Sequence, residues 1–126
     1  MEKHDYYFKR STVYKIEGDT TSVVDVQDNN AVTPLDPWMA RVVLLADGQH
    51  TIEQFIHYMT GFYADGAPEN LGETIDSVIS RLTESNVIEL TVRPSILPYY
   101  LRIPIDEQEP EKATKMMIAD GFIQVQ

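Results

Sequence analysis

Three side chains near the middle of the chain have a spacing that could do chemistry: His50, Glu53 and His57 stand at i, i+3 and i+7. On one helical face, two imidazoles and a carboxylate would converge on a single cation such as zinc. The local sequence argues against that use. Thr51 followed three residues later by Gln54 is a capping box, which leaves His50 ahead of the helix that carries the other two. No further histidine is near in sequence. The expectation is three solvated surface residues and no metal. Asp47 has an equally structural role beside Gly48, as the turn between two helices rather than a catalytic acid. The chain has no phosphate-binding glycine loop and no nucleophile elbow, and its carboxylates are scattered. A non-catalytic protein without a cofactor is therefore expected.

Charge and composition narrow the class further. Ten Lys and Arg against twenty Asp and Glu give a formal charge of −10, the wrong sign for binding by phosphate neutralisation. Nucleic acid is not an expected partner. Cysteine is absent, which excludes disulfides, thiolate metal sites and a cysteine nucleophile, and a reducing cytoplasm suits such a chain. Met1 to Ser11 is polar, without the apolar stretch of a signal peptide, and no run approaches the ~20 apolar residues of a membrane span. The expectation is a cytoplasmic protein with no membrane partner. With 126 residues, 43% of them hydrophobic, one domain with a real core is enough.

The elements that would carry any site follow from the hydrophobic periods. Thr12 to Glu17, with Val13, Tyr14 and Ile16, reads as a strand ended by Gly18-Asp19. Val23, Val24 and Val26 form a second, closed by the polar turn Asp28-Asn29-Asn30. Ala31 to Thr33 leaves room for one short third strand, and Pro34 places it at an edge, because proline cannot donate to a ladder. Asp36-Pro37 is a helix start, with Trp38, Val42 and Leu45 on one face. Asp47-Gly48 stops that helix. Ile52, Phe55, Ile56 and Met59 make the stripe of a second helix, Gly61 to Asn70 a loop, and Leu71, Ile75, Val78, Ile79 and Leu82 the stripe of a third. Ser85-Asn86 ends it, and Val87 to Val92 reads as a final strand.

The resulting class is α+β: a three-stranded N-terminal sheet, three helices and a C-terminal strand, the order of a winged helix-turn-helix over residues 1–92. Residues 93–126 form a C-terminal extension packed on the same domain. Its prolines break it into extended pieces, with a helix from Glu111 to Asp120 capped by Gly121 and a last strand from Phe122-Ile123 and Val125.

Residues 35 to 90 carry a recognisable pattern: a helix ending in Leu44-Leu45-Ala46-Asp47-Gly48, then Thr51-Ile52, a helix, a loop, and a third helix running into Val87-Ile88. This resembles the PqqD-like family, with its Asp-Gly-x-x-Thr turn. The resemblance implies a recognition element for ribosomally synthesised precursor peptides, which holds a leader segment as an added strand and presents it to a modifying enzyme. It also implies a leader groove between the third strand and the third helix. On this sequence Val32 and Thr33 would wall one side, and positions near Ile75, Val78, Ile79 and Leu82 the other. The chain departs from the quinone-pathway members in having Gln27-Asp28 near the end of the second strand where they carry Pro-Glu, and in its tail beyond Val92.

Two other classes compete. A winged-helix transcriptional regulator would read DNA with the helix from Leu71 to Glu84, but that helix carries Glu73, Asp76 and Glu84 against a lone Arg81. A structural protein-interaction subunit would dock on a larger partner and bind no peptide.

Overall fold

The computed structural model describes residues 2–124. It is an α+β structure with two antiparallel sheets of three strands each. Along the chain run β1 (Tyr7–Arg10), β2 (Val13–Glu17), β3 (Thr20–Asp25), β4 (Ala31–Pro34), α1 (Pro37–Leu45), β5 (Asp47–Thr51), α2 (Ile52–Thr60), α3 (Leu71–Glu84), β6 (Ile88–Thr91), α4 (Tyr99–Arg102) and α5 (Pro110–Ala119). The sheets have the orders β5-β1-β6 and β2-β3-β4.

The expected N-terminal sheet and the three central helices form where the hydrophobic periods place them. Their caps form too. Asp36 Oδ1 accepts from the Met39 amide at 2.8 Å, and Thr51 and Gln54 exchange bonds of 3.2 and 2.8 Å. The topology departs from the expected single sheet. Strand β6 does not join β2-β3-β4; it pairs with β1, Phe8 opposite Leu90 and Arg10 opposite Ile88. On its other side β1 pairs with β5, which occupies the stretch expected to be only a turn and a cap. The reason lies in the alternation of Tyr7-Phe8-Lys9-Arg10, which turns Phe8 and Arg10 inward. Nor do Phe122-Ile123 form a strand, and Val125 lies outside the described residues.

Two apolar clusters result. The larger one joins Phe8 and Tyr14 to the inner faces of α1, α2 and α3, with Phe8 edge-on to Phe55 at 5.6 Å between ring centroids. In the smaller one, Leu97, Tyr100 and Leu101 together with Ala113 and Met117 of α5 cover Val13 and Val24 on the opposite face of β2-β3-β4. The sheet is thus packed on both sides, by the central helices and by the C-terminal extension. The Tyr100 hydroxyl donates to Asp120 at 2.9 Å, and burial together with this bond pushes its pKa up to about 12.

Arg10 sits where these layers meet, only 3% exposed. Its Nε donates to Leu101 O at 2.8 Å and its Nη2 to Arg102 O at 3.2 Å, at the end of α4. Its Nη1 donates to Val43 O at 2.9 Å and Leu44 O at 3.1 Å, carbonyls of the last turn of α1, the first of which also accepts from the Ala46 amide at 3.3 Å. The guanidinium lies over the Tyr14 ring at 4.6 Å. Burial lowers its pKa, with Tyr14 and Asp47 pulling the other way, and the group stays charged because its ordinary value is so high.

Gly48 fastens the extension to β5. It has φ +80°, and the Ser95 amide donates to its carbonyl at 2.9 Å. A Cβ at this position would lie 2.5 Å from Ser95 O. Gly48→Ala combines an unfavourable left-handed backbone with a clash against main chain, so a loss of about 2–4 kcal/mol is expected in urea unfolding. A loss below about 0.5 kcal/mol would show that Ser95 moves aside freely.

Candidate peptide groove

β4 is an edge strand whose four residues are all exposed; among the described residues it pairs only with β3. The direction of its backbone follows from one bond. The Leu35 amide donates to Thr21 O at 2.9 Å, and the register of β3 with β4 makes these two residues direct partners. In an antiparallel pair the bonded positions alternate, so Thr33 also turns its amide toward β3, the Ala31 amide closing the turn on Asp28 O at 3.0 Å, whereas Val32 turns its amide and carbonyl outward and Pro34 its carbonyl. The edge therefore offers the N–H and C=O of Val32 and the C=O of Pro34. Val32 is also 45% exposed.

At the end of this sheet where β3 turns into β4 lies a cavity of about 440 Å³, lined along the sheet by Thr12, Val23, Asp25, Ala31 and Thr33 and on its far side by Ser85, Asn86, Val87 and Phe122. Two helix endings of the same kind place that far side. After α3, Asn86 takes φ +61°, its amide bonds Thr83 O at 3.1 Å and the Val87 amide bonds Leu82 O at 2.9 Å. After α5, Gly121 takes φ +74°, its amide bonds Ile118 O at 3.1 Å and the Phe122 amide bonds Met117 O at 2.8 Å. Both are Schellman endings, in which the residue after the left-handed position is held back against the helix. Val87 and Phe122 are those two residues. Gln27 Nε2 adds a 3.3 Å bond to Phe122 O across the mouth.

The expected wall residues divide. Val32 and Thr33 are both on the edge strand, and Thr33 also lines the cavity. Ile75, Val78, Ile79 and Leu82 are not on an open wall; they are buried in the larger core, Val78 being the most exposed of them at 8%. The helical stripe is used for packing against α1 and α2, and α3 reaches the groove only through its C-terminal ending. The residues that sequence reasoning missed are Val23, Val87 and Phe122. Val23 could have been found from hairpin register, since it lies opposite Thr33. Phe122 could not, because its place depends on how the extension folds back.

No Lys, Arg or His lines the cavity, and Asp25 and Asp28 stand at its turn end. Elsewhere, His50 pairs with Asp47 at 3.1 Å, while Glu53 and His57 are exposed. Among the described residues no three His, Asp or Glu side chains are grouped to hold a metal. A smaller cavity of about 320 Å³ lies between α1 and the end of α2, lined by Trp38, Arg41, Phe62 and Tyr63, and shares no residue with the groove. The exposed residues of α3 are Glu73, Ser77, Arg81 and Glu84, one cation among them. No described helix is long and apolar enough to cross a membrane.

No protein-family profile, curated protein or solved structure matches the chain.

Proposed function

We propose that the chain is a non-catalytic peptide-binding module of winged-helix type, similar to PqqD-like domains, that takes a precursor (leader) peptide as a strand added to β4 and presents it to a modifying enzyme. The observation that carries this reading is the outward-facing backbone of Val32 on the exposed edge strand β4. An extended peptide would exchange two bonds with Val32 and donate a third to Pro34 O. The order of the sheet β2-β3-β4 followed by α1, α2 and α3 supports the winged-helix comparison, while β5 between α1 and α2 and the pairing of β6 with β1 are this chain's own departures from it. The acidic exposed face of α3 gives no support to a DNA-reading role.

Val32→Pro tests the reading. Proline at an outward-facing edge position removes the donor that an added strand needs and no bond within the sheet. Thr33→Pro would instead remove a bond to β3, and a charge at Val78 would enter the core. A displayed library of random peptides of about twelve residues, selected on the immobilised protein, supplies the probe. Selected peptides are expected to bind Val32→Pro at least about tenfold more weakly, with its melting temperature within a few degrees of the parent. They should also slow hydrogen exchange of the Val32 amide. If no selected peptide depends on Val32, or the amide's exchange is unchanged in the complex, the strand-addition reading fails.

A further inference from the structure

Two of the edge strands are interrupted. Pro34 breaks the row of donors on β4, and on β5 the Gly48 carbonyl is taken by the Ser95 amide at 2.9 Å. The third, β6, has neither device, and among the described residues it pairs only with β1. The Ser11 amide donates to Val87 O at 2.8 Å, and these two residues continue the register of Arg10 with Ile88. By the alternation of an antiparallel ladder, Glu89 and Thr91 turn their backbone groups toward β1, whereas the N–H and C=O of Ile88 and Leu90 and the N–H of Val92 turn away. No described residue bonds to any of these groups. Val92 is 55% exposed although apolar, and a 2.9 Å bond from Thr91 Oγ1 to Arg93 O fixes the bend that follows it. Arg93 is exposed as well, and no described carboxylate pairs with it, in a chain with twenty acids against ten bases.

We infer that β6 is a self-association edge, to which a second copy of the chain adds its own β6, antiparallel, about a two-fold axis at Leu90. Register selects this partner. With the axis at Leu90, the two Leu90 residues exchange both backbone bonds, and the Val92 amide of each copy donates to Ile88 O of the other. The exposed Val92 side chain is then covered by Ile88 across the pair. On the opposite face, Arg93 of one copy stands diagonal to Glu89 of the other, within reach of so long a side chain, and Glu89 has Lys9 of its own copy at 3.9 Å. An axis at Glu89 would set two carboxylates face to face, and one at Thr91 would bring Pro94, which has no amide, opposite Ile88. The two-fold pairing uses the edge of both copies, so a third finds none open there. The formal charge of −10 on each copy opposes approach, but it is screened beyond ~8 Å at physiological salt. β6 shares no residue with β4, and the inference stands apart from the strand-addition reading.

Sedimentation of the full chain at about 150 mM salt tests this, with a monomer–dimer transition expected at roughly 1–100 µM protein. In the dimer the Leu90 and Val92 amides should exchange hydrogen at least about tenfold more slowly than in the dilute monomer, while those of Glu89 and Thr91, bonded to β1 in both, should not change. Val92→Pro removes an outward donor and no bond within the chain. It should weaken the dimer at least about tenfold and leave the melting temperature of the monomer within a few degrees of the parent. Arg93→Glu, which leaves every backbone bond in place, should weaken it about three- to tenfold. A chain that stays monomeric at about 500 µM overturns the inference. So does a dimer in which the Leu90 and Val92 amides gain no protection, because it uses another face, and so does a monomer in which peptides of the library, rather than a second copy, protect them.

Discussion

Arg10→Ala is expected to cost about 3 kcal/mol or more, a large fraction of the ~5–15 kcal/mol that holds a domain of this size together. The side chain satisfies carbonyls at the ends of both α1 and α4. Removing it takes the side-chain donor from Leu44 O, Leu101 O and Arg102 O, leaves Val43 O with the Ala46 amide alone, and opens a void under Tyr14. Arg10→Lys should recover little, because one ammonium cannot span two helix ends as a planar guanidinium does. Urea unfolding followed by circular dichroism measures this; a loss under about 1 kcal/mol in the alanine variant would mean that water reaches the freed carbonyls.

The second large effect is expected from a chain that stops at Val92. Sequence pattern places a boundary there, yet Val13 and Val24 owe their burial to Leu97, Tyr100, Leu101, Ala113 and Met117. Exposing two fully buried valines costs about 3–6 kcal/mol, and Arg10 loses the partners of its Nε and Nη2 as well. Residues 1–92 should therefore show no cooperative thermal transition. If they melt sharply, the smaller cluster is an accessory to a domain that is complete without it. The two perturbations share Arg10, so in any shortened chain that still folds Arg10→Ala should cost less than in the full chain.

What was legible in the sequence is what local chemistry decides. The strands β2, β3 and β4, the helix caps at Asp36 and Thr51, the left-handed turn at Asn29-Asn30 and the helix Pro110–Ala119 all follow from residue types a few positions apart. Strand β1 was not legible, because half of its inward face is an arginine whose partners lie 33 and 91 residues further on. Strand β5 was hidden by Asp47-Gly48, which reads as a turn and is also the start of a strand. At the site, proline and the hairpin identified the edge. The assignment of the α3 stripe to a groove failed because a periodic apolar face states that a helix packs, without stating against what, and here it packs against α1 and α2.

Pro34 sets a limit on how far the sheet can grow. It is the one residue of the outward-facing pair that brings no amide, so the edge has a single donor, that of Val32. A strand laid there is held over little more than one residue pair, too short a template for copies of the chain to zip together at high concentration. Under the strand-addition proposal, an edge of this kind would admit a peptide without favouring the stacking of copies of the chain. Restoring a donor with Pro34→Val would lengthen the sticky edge, and the gain in peptide grip would come together with a drift toward fibrillar assembly.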